Sequence, residues 1–366
     1  MSSAALTPEE RAGYDFAGPL VEVQHLTKHF PVRQGVFART KGVVHAVEDV
    51  SLTINRGETL GIVGESGCGK STTARLIVRL LDPTAGTIKF EGRDITRISQ
   101  RDLRPVRQQM QIIFQDPYSS LNPRKSVGQI VGEPFLIHKT AKDVRVRVQE
   151  LLSRVGLSPE HYNRYPHEFS GGQRQRIGIA RALALQPKLI VCDEPVSALD
   201  VSVQAQILNL LKSLQAEFKL TYVFISHDLS VIRQVSDRIA VMYLGQVVEL
   251  GSSESLYQQP RHPYTGALLS AVPKPETNGG ARLGSSRRIV LGGDVPSPVN
   301  PPQACIFHPR CPRFHPGRCD VETPELRPFE REHEARCHYP LEFWPMTEDE
   351  MRQSYAPSSA ESVTER

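Results

Sequence analysis

The stretch Gly64-Glu65-Ser66-Gly67-Cys68-Gly69-Lys70-Ser71 fits the pattern G-x-x-x-x-G-K-[ST]. A short apolar run that ends at Val63 predicts a strand before it, and a helical pattern from about Lys70 to Leu81 follows it, which is the context that gives the pattern meaning. Glycines let successive backbone N–H groups converge on phosphate oxygens, and the helix N-terminus adds the positive end of a dipole. We expect Lys70 to reach the terminal phosphates and Ser71 to bind magnesium. The sequence therefore predicts a phosphate-binding loop.

The composition is that of an ordinary globular chain. Of 366 residues, 44 are Lys or Arg and 40 are Asp or Glu, so the formal net charge is +4, and 39% are hydrophobic. This near-neutral balance supplies no basic stripe for a phosphate backbone, so we expect no nucleic-acid partner. The N-terminus carries Glu9 and Glu10 without an apolar signal region, and no stretch reaches the roughly 18 apolar residues of a spanning helix. We expect a soluble, unsecreted chain that does not itself cross a bilayer.

The first half of the chain contains further strands and a helical insertion. Apolar and polar residues alternate between residues 20 and 54, which predicts half-buried strands at an antiparallel sheet edge. Another strand is expected from Gly86 to Gly92. Residues 116 to 168 carry five prolines among helical patches, which favours an inserted helical lobe.

The second half alternates helices with apolar strands. Helical patterns cover roughly Gly172 to Leu185 and Val203 to Phe218, and strands of the buried type are expected at Leu189 to Cys192 and Tyr222 to Ile225. This alternation predicts an α/β fold, in which helices cover both faces of a mostly parallel sheet.

Two adjacent carboxylates, Asp193 and Glu194, follow one of the apolar strands. Because side chains alternate in direction along a strand, the two carboxylates face different points. We expect Asp193 to bind magnesium and Glu194 to act as the base toward an attacking water. A pair of exposed acids at a strand end is the alternative, and the preceding apolar run disfavours it.

The segment Ser170-Gly171-Gly172-Gln173 lies just ahead of a helix. A hydroxyl and two glycines at a helix N-terminus form an arrangement that binds anions. Taken alone, the segment could equally be a helix cap on a turn.

The order of these elements along the chain resembles that of the ATP-binding cassette family. The order is the phosphate loop, Gln115, Ser170 to Gln173, Asp193-Glu194, Ser197-Ala198-Leu199-Asp200 and His227. The resemblance covers about residues 20 to 272. It implies a P-loop NTPase fold of the ABC type, with a mostly parallel sheet core, an antiparallel β edge and a helical subdomain at about residues 116–180.

The resemblance also implies a site for ATP and Mg²⁺. It assigns to ATP binding Phe30, Gly64, Glu65, Ser66, Gly67, Cys68, Gly69, Lys70, Ser71, Thr72, Ser170, Gly171, Gly172 and Gln173. It assigns Ser71, Gln115 and Asp193 to Mg²⁺, and Glu194, His227 and Gln115 to catalysis, with His227 contacting the γ-phosphate. Phe30 matches the aromatic residue that stacks on adenine, although it could also be a core aromatic.

In this family two cassettes dimerise head to tail. Each ATP then lies between the phosphate loop of one subunit and the Ser-Gly-Gly-Gln segment of the other, so Ser170 to Gln173 are expected to serve the partner's site. ATP holds the two subunits together and hydrolysis weakens the contact, which is a cycle that can drive a mechanical step.

Three further segments are similar to the ATP-binding subunits of dipeptide and oligopeptide importers. They are Asp116 to Arg124, Arg164 to His167 and Arg261 to Thr265. Leu121-Asn122-Pro123-Arg124 is most similar to the F-type subunit. The resemblance implies a D-type cassette as the partner in a heterodimer and two membrane permease subunits that dock near Gln115 to Phe135. It also implies an extracytoplasmic binding protein that supplies the peptide.

The implied activity is ATP hydrolysis that powers peptide import, at a peripheral position on the cytoplasmic side of the bacterial inner membrane. Nickel and other small solutes use close relatives, so another solute is an alternative. A cassette that acts on nucleic acid or ribosomes is a second alternative, but those proteins usually carry tandem cassettes or a long coiled coil. A regulatory cassette without hydrolysis is disfavoured, because Glu194 and His227 are both present.

Four cysteines, Cys305, Cys311, Cys319 and Cys337, form the pattern C-x5-C-x7-C-x17-C. Disulfides could join them in any of three pairings, but a chain that uses ATP and lacks a signal region belongs in a reducing compartment. A metal is favoured, and four thiolates suit zinc or an iron–sulfur cluster. The peptide-importer cassettes that this tail resembles bind a [4Fe-4S] cluster through such cysteines; zinc and free thiols are the alternatives.

The chain is therefore expected to divide into four parts. These are an N-terminal extension (1–19), the cassette (20–272), a Cys-rich C-terminal domain of the peptide-importer type (273–340) and a flexible tail (341–366). Nine of the 28 prolines lie within residues 296 to 328, so we expect a loop-rich appendage that a metal would clamp.

Overall fold

The computed structural model describes residues 17–34, 39–272, 288–330, 332–346 and 350, so most of the predicted N-terminal extension and tail lies outside the described residues. The described strands are β1 (Val21–Gln34), β2 (Arg39–Ile54), β3 (Thr59–Val63), β4 (Ala85–Phe90), β5 (Arg93–Asp94), β6 (Met110–Ile113), β7 (Leu189–Asp193), β8 (Thr221–Ile225), β9 (Arg238–Tyr243), β10 (Gln246–Ser252), β11 (Arg327–Glu330) and β12 (His333–Ala335). The described α-helices are α1 (Lys70–Ile77), α2 (Gln100–Gln109), α3 (Pro117–Ser120), α4 (Val127–His138), α5 (Val144–Arg154), α6 (Gly171–Leu183), α7 (Val201–Phe218), α8 (Leu229–Val235), α9 (Ser253–Gln258) and α10 (Pro263–Ser270).

Eight strands form the main sheet, in the order β11-β12-β10-β9-β3-β8-β7-β6. The five strands from β9 to β6 are parallel, as the alternation of helices and apolar strands predicts. The other three strands, β10, β12 and β11, continue the sheet in antiparallel pairing. Because parallel strands end at the same edge of a sheet, the segments that follow β3, β7 and β8 lie together.

The antiparallel strands predicted within residues 20 to 54 form a sheet of their own. β1 pairs with β2 on one side and with β4 on the other, which gives the order β2-β1-β4-β5. Their predicted antiparallel pairing is confirmed, but they are not an edge of the main sheet, because β10, β12 and β11 build its antiparallel edge. Alternation along a strand indicates which face is buried but not which strand lies beside it.

The hydrophobic core has one layer on each face of the main sheet. Along β7, Leu189 and Val191 pack toward the antiparallel sheet, whereas Ile190 and Cys192 pack toward the helices. All five residues of β7 are buried, which is what a continuous apolar run predicts for a strand covered on both faces. Cys192 and Cys68 are both buried, at 0% and 3% exposed.

The predicted helical lobe lies between β6 and β7 and contains α3 to α6, with 3₁₀ turns at Pro159–Asn163 and Pro166–Glu168. Ser126 caps α4 in a capping box, in which its hydroxyl accepts from the Gln129 N–H and the Gln129 side chain accepts from the Ser126 N–H. No helix in the described part of the chain is long and apolar enough to span a bilayer.

The C-terminal segment shares the core of the cassette. Phe307 and Cys319 belong to the same buried cluster as Tyr243 and Tyr264. The segment also adds β11 and β12 to the main sheet, which the expectation of a loop-rich appendage did not foresee. The two strands are too short to show a pattern in a proline-rich sequence.

A buried carboxylate holds this segment in place. Glu249, on β10, accepts from the backbone N–H groups of Arg261 at 2.6 Å and His262 at 2.9 Å, and it lies 2.7 Å from His333 Nε2. The side chains of Glu249 and His333 are 0% and 1% exposed. One carboxylate thus joins β10, the start of α10 and β12.

We predict that Glu249→Ala lowers the free energy of unfolding by about 3 kcal/mol, because it leaves several buried donors without an acceptor. Urea denaturation followed by circular dichroism measures the change. The control is Glu325→Ala, an exposed acid in the C-terminal segment, for which we expect a change of less than about 0.5 kcal/mol. Equal effects of the two substitutions would contradict the role of Glu249.

Candidate active site

The loop after β3 is wedged between two other segments of backbone. Gly64 has φ +151° and Gly69 has φ +101°, both in the region that favours glycine. A Cβ atom would lie 2.2 Å from the Met242 carbonyl oxygen at Gly64 and 2.2 Å from the Ala46 carbonyl oxygen at Gly69. Both glycines of the phosphate-binding pattern are therefore required by close packing as well as by backbone conformation.

Lys70 and Ser71 open α1 directly beneath this loop. Lys70 Nζ donates to the carbonyl oxygens of Gly64 at 2.7 Å and Glu65 at 2.9 Å, which holds the ammonium group against the loop. Ser71 Oγ donates to Asp193 Oδ1 at 2.7 Å. Burial raises the pKa of Asp193, while the hydrogen bond from Ser71 acts in the opposite direction. A hydroxyl and a carboxylate in contact supply the oxygen ligands that Mg²⁺ prefers.

Glu194 lies where three strand ends meet. Its Oε2 accepts from Gln115 Nε2 at 2.9 Å, and it lies 3.3 Å from His227 Nδ1. The backbone at Glu194 has φ +47°, and its N–H donates to the Ile225 carbonyl at 3.0 Å. This turn directs the carboxylate away from buried Asp193 and toward the amide and imidazole, which is a geometry that can accept a proton from a water molecule.

A cavity of about 500 Å³ separates the phosphate loop from the Glu194 carboxylate. Its lining residues are Val44, Ala46, Ser66, Gly67, Gly69, Lys70, Ser71, Thr72, Gln115, Glu194, His227 and Pro298. The cavity therefore has backbone amides and a lysine on one side and a carboxylate, an amide and an imidazole on the other. An anionic ligand held by the loop would face Glu194.

The structure brings together many of the residues predicted from the sequence. Ser66, Gly67, Gly69 to Thr72, Gln115, Glu194 and His227 line the cavity, and Asp193 contacts Ser71 beneath it. Gly64, Glu65 and Cys68 lie in the same loop outside the lining, and the Glu65 carboxylate pairs with Arg310. Phe30 is 36% exposed on β1, opposite Val44 on β2.

The segment Ser170 to Gln173 contributes no residue to the lining of this cavity in the part of the chain that the structure describes. Ser170 caps α6, because its hydroxyl accepts from the Gln173 N–H and the Gln173 side chain accepts from the Ser170 N–H. A Cβ atom at Gly172 would lie 2.5 Å from Val203 Cγ1, so α6 packs closely against α7 at this glycine. Ser170 itself is exposed at the helix N-terminus.

Sequence reasoning missed several residues of the site. Val44, Ala46 and Pro298 line the cavity from β2 and the C-terminal segment, and they carry no chemical signature of their own. Arg310 lies between Cys305 and Cys311, and the sequence pattern predicted a role for the cysteines but none for the arginine. Its position between two cysteines was the signal that the sequence offered.

The four C-terminal cysteines are close enough to affect one another. Burial raises the pKa of Cys311, and the neighbouring Cys337, Cys305 and Cys319 add to the shift. Burial also raises the pKa of Cys337 to about 12. Among the described residues, however, no three of these sulfur atoms lie within 4.8 Å of one another.

Comparison with known proteins agrees with the geometry. Residues 47–197 match the family described as ABC transporter, and residues 248–319 match the family described as oligopeptide/dipeptide transporter, C-terminal region. The chain is 54% identical over 322 residues to the oligopeptide transport ATP-binding protein AppF of Bacillus subtilis, which covers 87% of this chain and 97% of that protein. The chain belongs to the ATP-binding cassette family. It is an ATPase of that family.

Two other relatives align over similar lengths of this cassette. The oligopeptide transport ATP-binding protein OppF of Salmonella typhimurium is 50% identical over 313 residues, which are 84% of this chain and 92% of that protein. The dipeptide transport ATP-binding protein DppF of Escherichia coli is 49% identical over 313 residues, which are 85% and 92% of the two chains.

Solved structures match the cassette fold. A dimeric post-hydrolysis state of the ATP-binding cassette MJ0796 bound to ADP and Pi is 31% identical, with a TM-score of 0.57, and covers 64% of this chain and 98% of that chain. CbiO1 of Clostridium perfringens, part of the ABC transporter complex cbiONQ, is 30% identical, with a TM-score of 0.57, over 65% and 90% of the two chains. The predicted P-loop fold of the ABC type is confirmed.

We predict that Lys70→Ala weakens ATP binding by about 100-fold, because it removes the charged donor that is held against the loop. Equilibrium binding of a fluorescent ATP analogue measures the change. Lys142→Ala, at an exposed position, is the matched control and should bind as the unchanged protein does. Normal affinity in Lys70→Ala would show that the glycine loop is not the phosphate cradle.

Proposed function

We propose that this cassette hydrolyses ATP to power the import of dipeptides or oligopeptides through a membrane permease. The observation that carries the proposal is the convergence of Gln115, Glu194 and His227 opposite the phosphate loop, in a chain whose residues 248–319 match the oligopeptide/dipeptide transporter C-terminal region. Relatives about 50% identical are named as peptide transport ATP-binding proteins. Import of nickel or another small solute is the alternative outcome of the experiment below.

The proposed roles follow the contacts. Ser71, Asp193 and Gln115 bind Mg²⁺ with ATP, and the loop residues Gly64 to Thr72 bind its phosphates. Glu194 takes the proton of the attacking water, and its hydrogen bond from Gln115 orients the carboxylate. His227 Nδ1 lies 3.3 Å from the same carboxylate and lines the cavity, and the imidazole is proposed to contact the γ-phosphate of bound ATP. Magnesium, when bound, neutralises charge on the phosphates, which is the largest electrostatic demand of the reaction.

We also propose that the active unit is a head-to-tail dimer with a D-type cassette. Ser170 to Gln173 present an exposed, capped helix N-terminus away from the cavity of their own subunit, which supports their use in the site of a partner. The related cassette MJ0796 is described as a dimer bound to ADP and Pi. Phe30, exposed on β1, would stack on the adenine of the ATP bound in its own subunit.

Two permease subunits are proposed to dock on the helical lobe near Gln115 to Phe135. Tyr118 is 63% exposed on α3, and Leu136 is 65% exposed at the end of α4, so the lobe offers apolar side chains to a partner. Gln115 lies two residues before the start of α3 and contacts Glu194, which gives a short route from the docking surface to the site of hydrolysis. The cassette would then lie on the cytoplasmic face of the membrane, and a binding protein outside would supply the solute.

We also propose that the four cysteines bind a [4Fe-4S] cluster, with a single zinc ion and free thiols as the alternatives. Four sulfurs bonded to one zinc at about 2.3 Å would lie about 3.8 Å apart. Among the described residues no three of these sulfurs lie within 4.8 Å of one another, which disfavours a single zinc ion and supports the cluster. When bound, the cluster would hold the cysteine segments together, a structural role that suits a region poor in regular structure.

We propose that the chain divides into an extension (1–19), the cassette (20–272), a Cys-rich domain (273–340) and a tail (341–366). Two different family models match residues 47–197 and 248–319, which supports two units, and the second match begins before the proposed boundary at residue 272. The shared core of Phe307 with Tyr243 and Tyr264 means that the third unit is attached to the second by packing as well as by the chain.

We predict that Glu194→Gln retains ATP binding but lowers the hydrolysis rate by about 1,000-fold, because the amide cannot accept the proton of water. The measurement uses the complete complex in proteoliposomes, with phosphate release and uptake of a labelled peptide followed together. Glu254→Gln, at an exposed position on α9, is the control. Normal turnover in Glu194→Gln would contradict the assigned base, and ATP-dependent uptake of nickel without peptide would replace the proposed solute.

We predict that the chain purified without oxygen contains about four irons and that Cys311→Ser lowers the iron content and the thermal unfolding temperature together. Metal analysis and visible absorption measure the centre, and Cys68→Ser, outside the group, is the control. One zinc per chain, or no metal in a folded chain, would refute the cluster.

A further inference from the structure

An ion pair joins the C-terminal segment to the phosphate loop. Arg310 Nη1 donates to Glu65 Oε2 at 2.7 Å, and Arg310 Nη2 donates to Glu65 Oε1 at 3.1 Å. The side chain of Arg310 is 8% exposed and that of Glu65 is 28% exposed, so solvent screens the pair only in part. Two parallel hydrogen bonds from a planar guanidinium fix the direction of a carboxylate as well as its distance.

Glu65 is held at three points within the loop. Its N–H donates to Tyr264 Oη at 2.9 Å, its carbonyl oxygen accepts from Lys70 Nζ at 2.9 Å, and its carboxylate accepts from Arg310. It also lies between Gly64, whose backbone conformation few other residues adopt, and the cavity-lining Ser66. The orientation of Glu65 therefore sets the path of the loop and the position of the lysine ammonium.

Arg310 is presented by a rigid turn. It ends the 3₁₀ turn His308–Arg310, and its N–H donates to the Phe307 carbonyl at 3.0 Å. The Phe307 ring is 1% exposed, and its centroid lies 5.3 Å from that of Tyr243 and 5.5 Å from that of Tyr264. Aromatic packing thus fixes the base of the arginine, and Tyr264 contacts the same loop from the other side.

Stability alone does not explain this pair. The free energy of removing two charges from water offsets much of their attraction, so partly buried ion pairs contribute little net stability. The buried Nε–H of Arg310 finds no acceptor among the described residues, which is a further cost. What the guanidinium supplies, and an apolar residue does not, is a fixed orientation of Glu65.

We propose that Arg310 is a positioning residue of the nucleotide site, which acts through Glu65 to hold the phosphate loop in the conformation that binds ATP. The C-terminal segment is then part of the ATP-binding machinery, although it donates no group to the phosphates. This inference rests on the proposed role of the loop in binding ATP and is independent of the solute transported.

The test is the equilibrium affinity of the complete complex for a fluorescent ATP analogue, in Arg310→Ala, Arg310→Lys, Glu65→Ala and the double alanine variant. We expect Arg310→Ala to weaken binding about 5- to 10-fold, a usual size for coupling between neighbouring sites. Arg310→Lys keeps the positive charge but cannot form two parallel hydrogen bonds, so its affinity for the analogue should lie between those of the unchanged protein and Arg310→Ala. The double alanine variant should bind the analogue no more weakly than Arg310→Ala or Glu65→Ala, whichever has the lower affinity, because the two residues act through one contact.

Arg313→Ala is the matched control, since Arg313 is a buried arginine of the same segment, 3% exposed, and its Nη1 donates to the Pro340 carbonyl at 2.8 Å. We expect it to lower the thermal unfolding temperature without changing ATP affinity. Unchanged affinity in both Arg310 variants, fully additive effects of Arg310 and Glu65, or equal weakening by Arg313→Ala would overturn the proposal. Failure of the unchanged complex to bind the analogue would instead refute the proposed function.

Discussion

The parallel pairing of β3 with β8, and of β8 with β7, is the constraint on which the active site depends. Ile62 on β3 and Asp193 on β7 both pair with Ile225 on β8, so the three strands end at one level. The phosphate loop, Asp193 and the segment that carries His227 lie at this end of the sheet. Residues that are far apart in the chain thus meet without any long side chain having to reach across, and the burial of the strands on both faces keeps this edge rigid.

The electrostatics of the site follow from the depth of each group at that edge. Asp193 is 2% exposed, and burial raises its pKa, so a cation bound beside it would stabilise its ionised form. Lys70 is 5% exposed and donates to backbone carbonyl oxygens, which are weaker partners for an ammonium group than an anion would be. His227 is 59% exposed at the rim. The fixed charges lie deep, and the groups proposed to act on water lie toward the opening.

The sequence predicted what depends on local spacing and missed what depends on distant pairing. The strand expected at Leu189 to Cys192 is observed as Leu189–Asp193, and the phosphate loop lies where its pattern placed it, because a single turn encodes it. Alternation could not tell that residues 20 to 54 form a separate sheet, nor that residues 327 to 335 join the main one. The contact of Arg310 with Glu65 spans most of the chain and leaves no local pattern.

The strand β12 covers an edge that would otherwise be bare. Glu249 and Leu250 of β10 pair with Ala335 and Glu334, and the aromatic face of Tyr243 and Tyr264 is closed by Phe307. A chain shortened at residue 272 would keep every motif for ATP, yet it would present open backbone hydrogen-bonding groups beside uncovered tyrosine rings. Such surfaces promote self-association. The smallest unit of this protein that resists self-association is therefore longer than its catalytic motifs suggest.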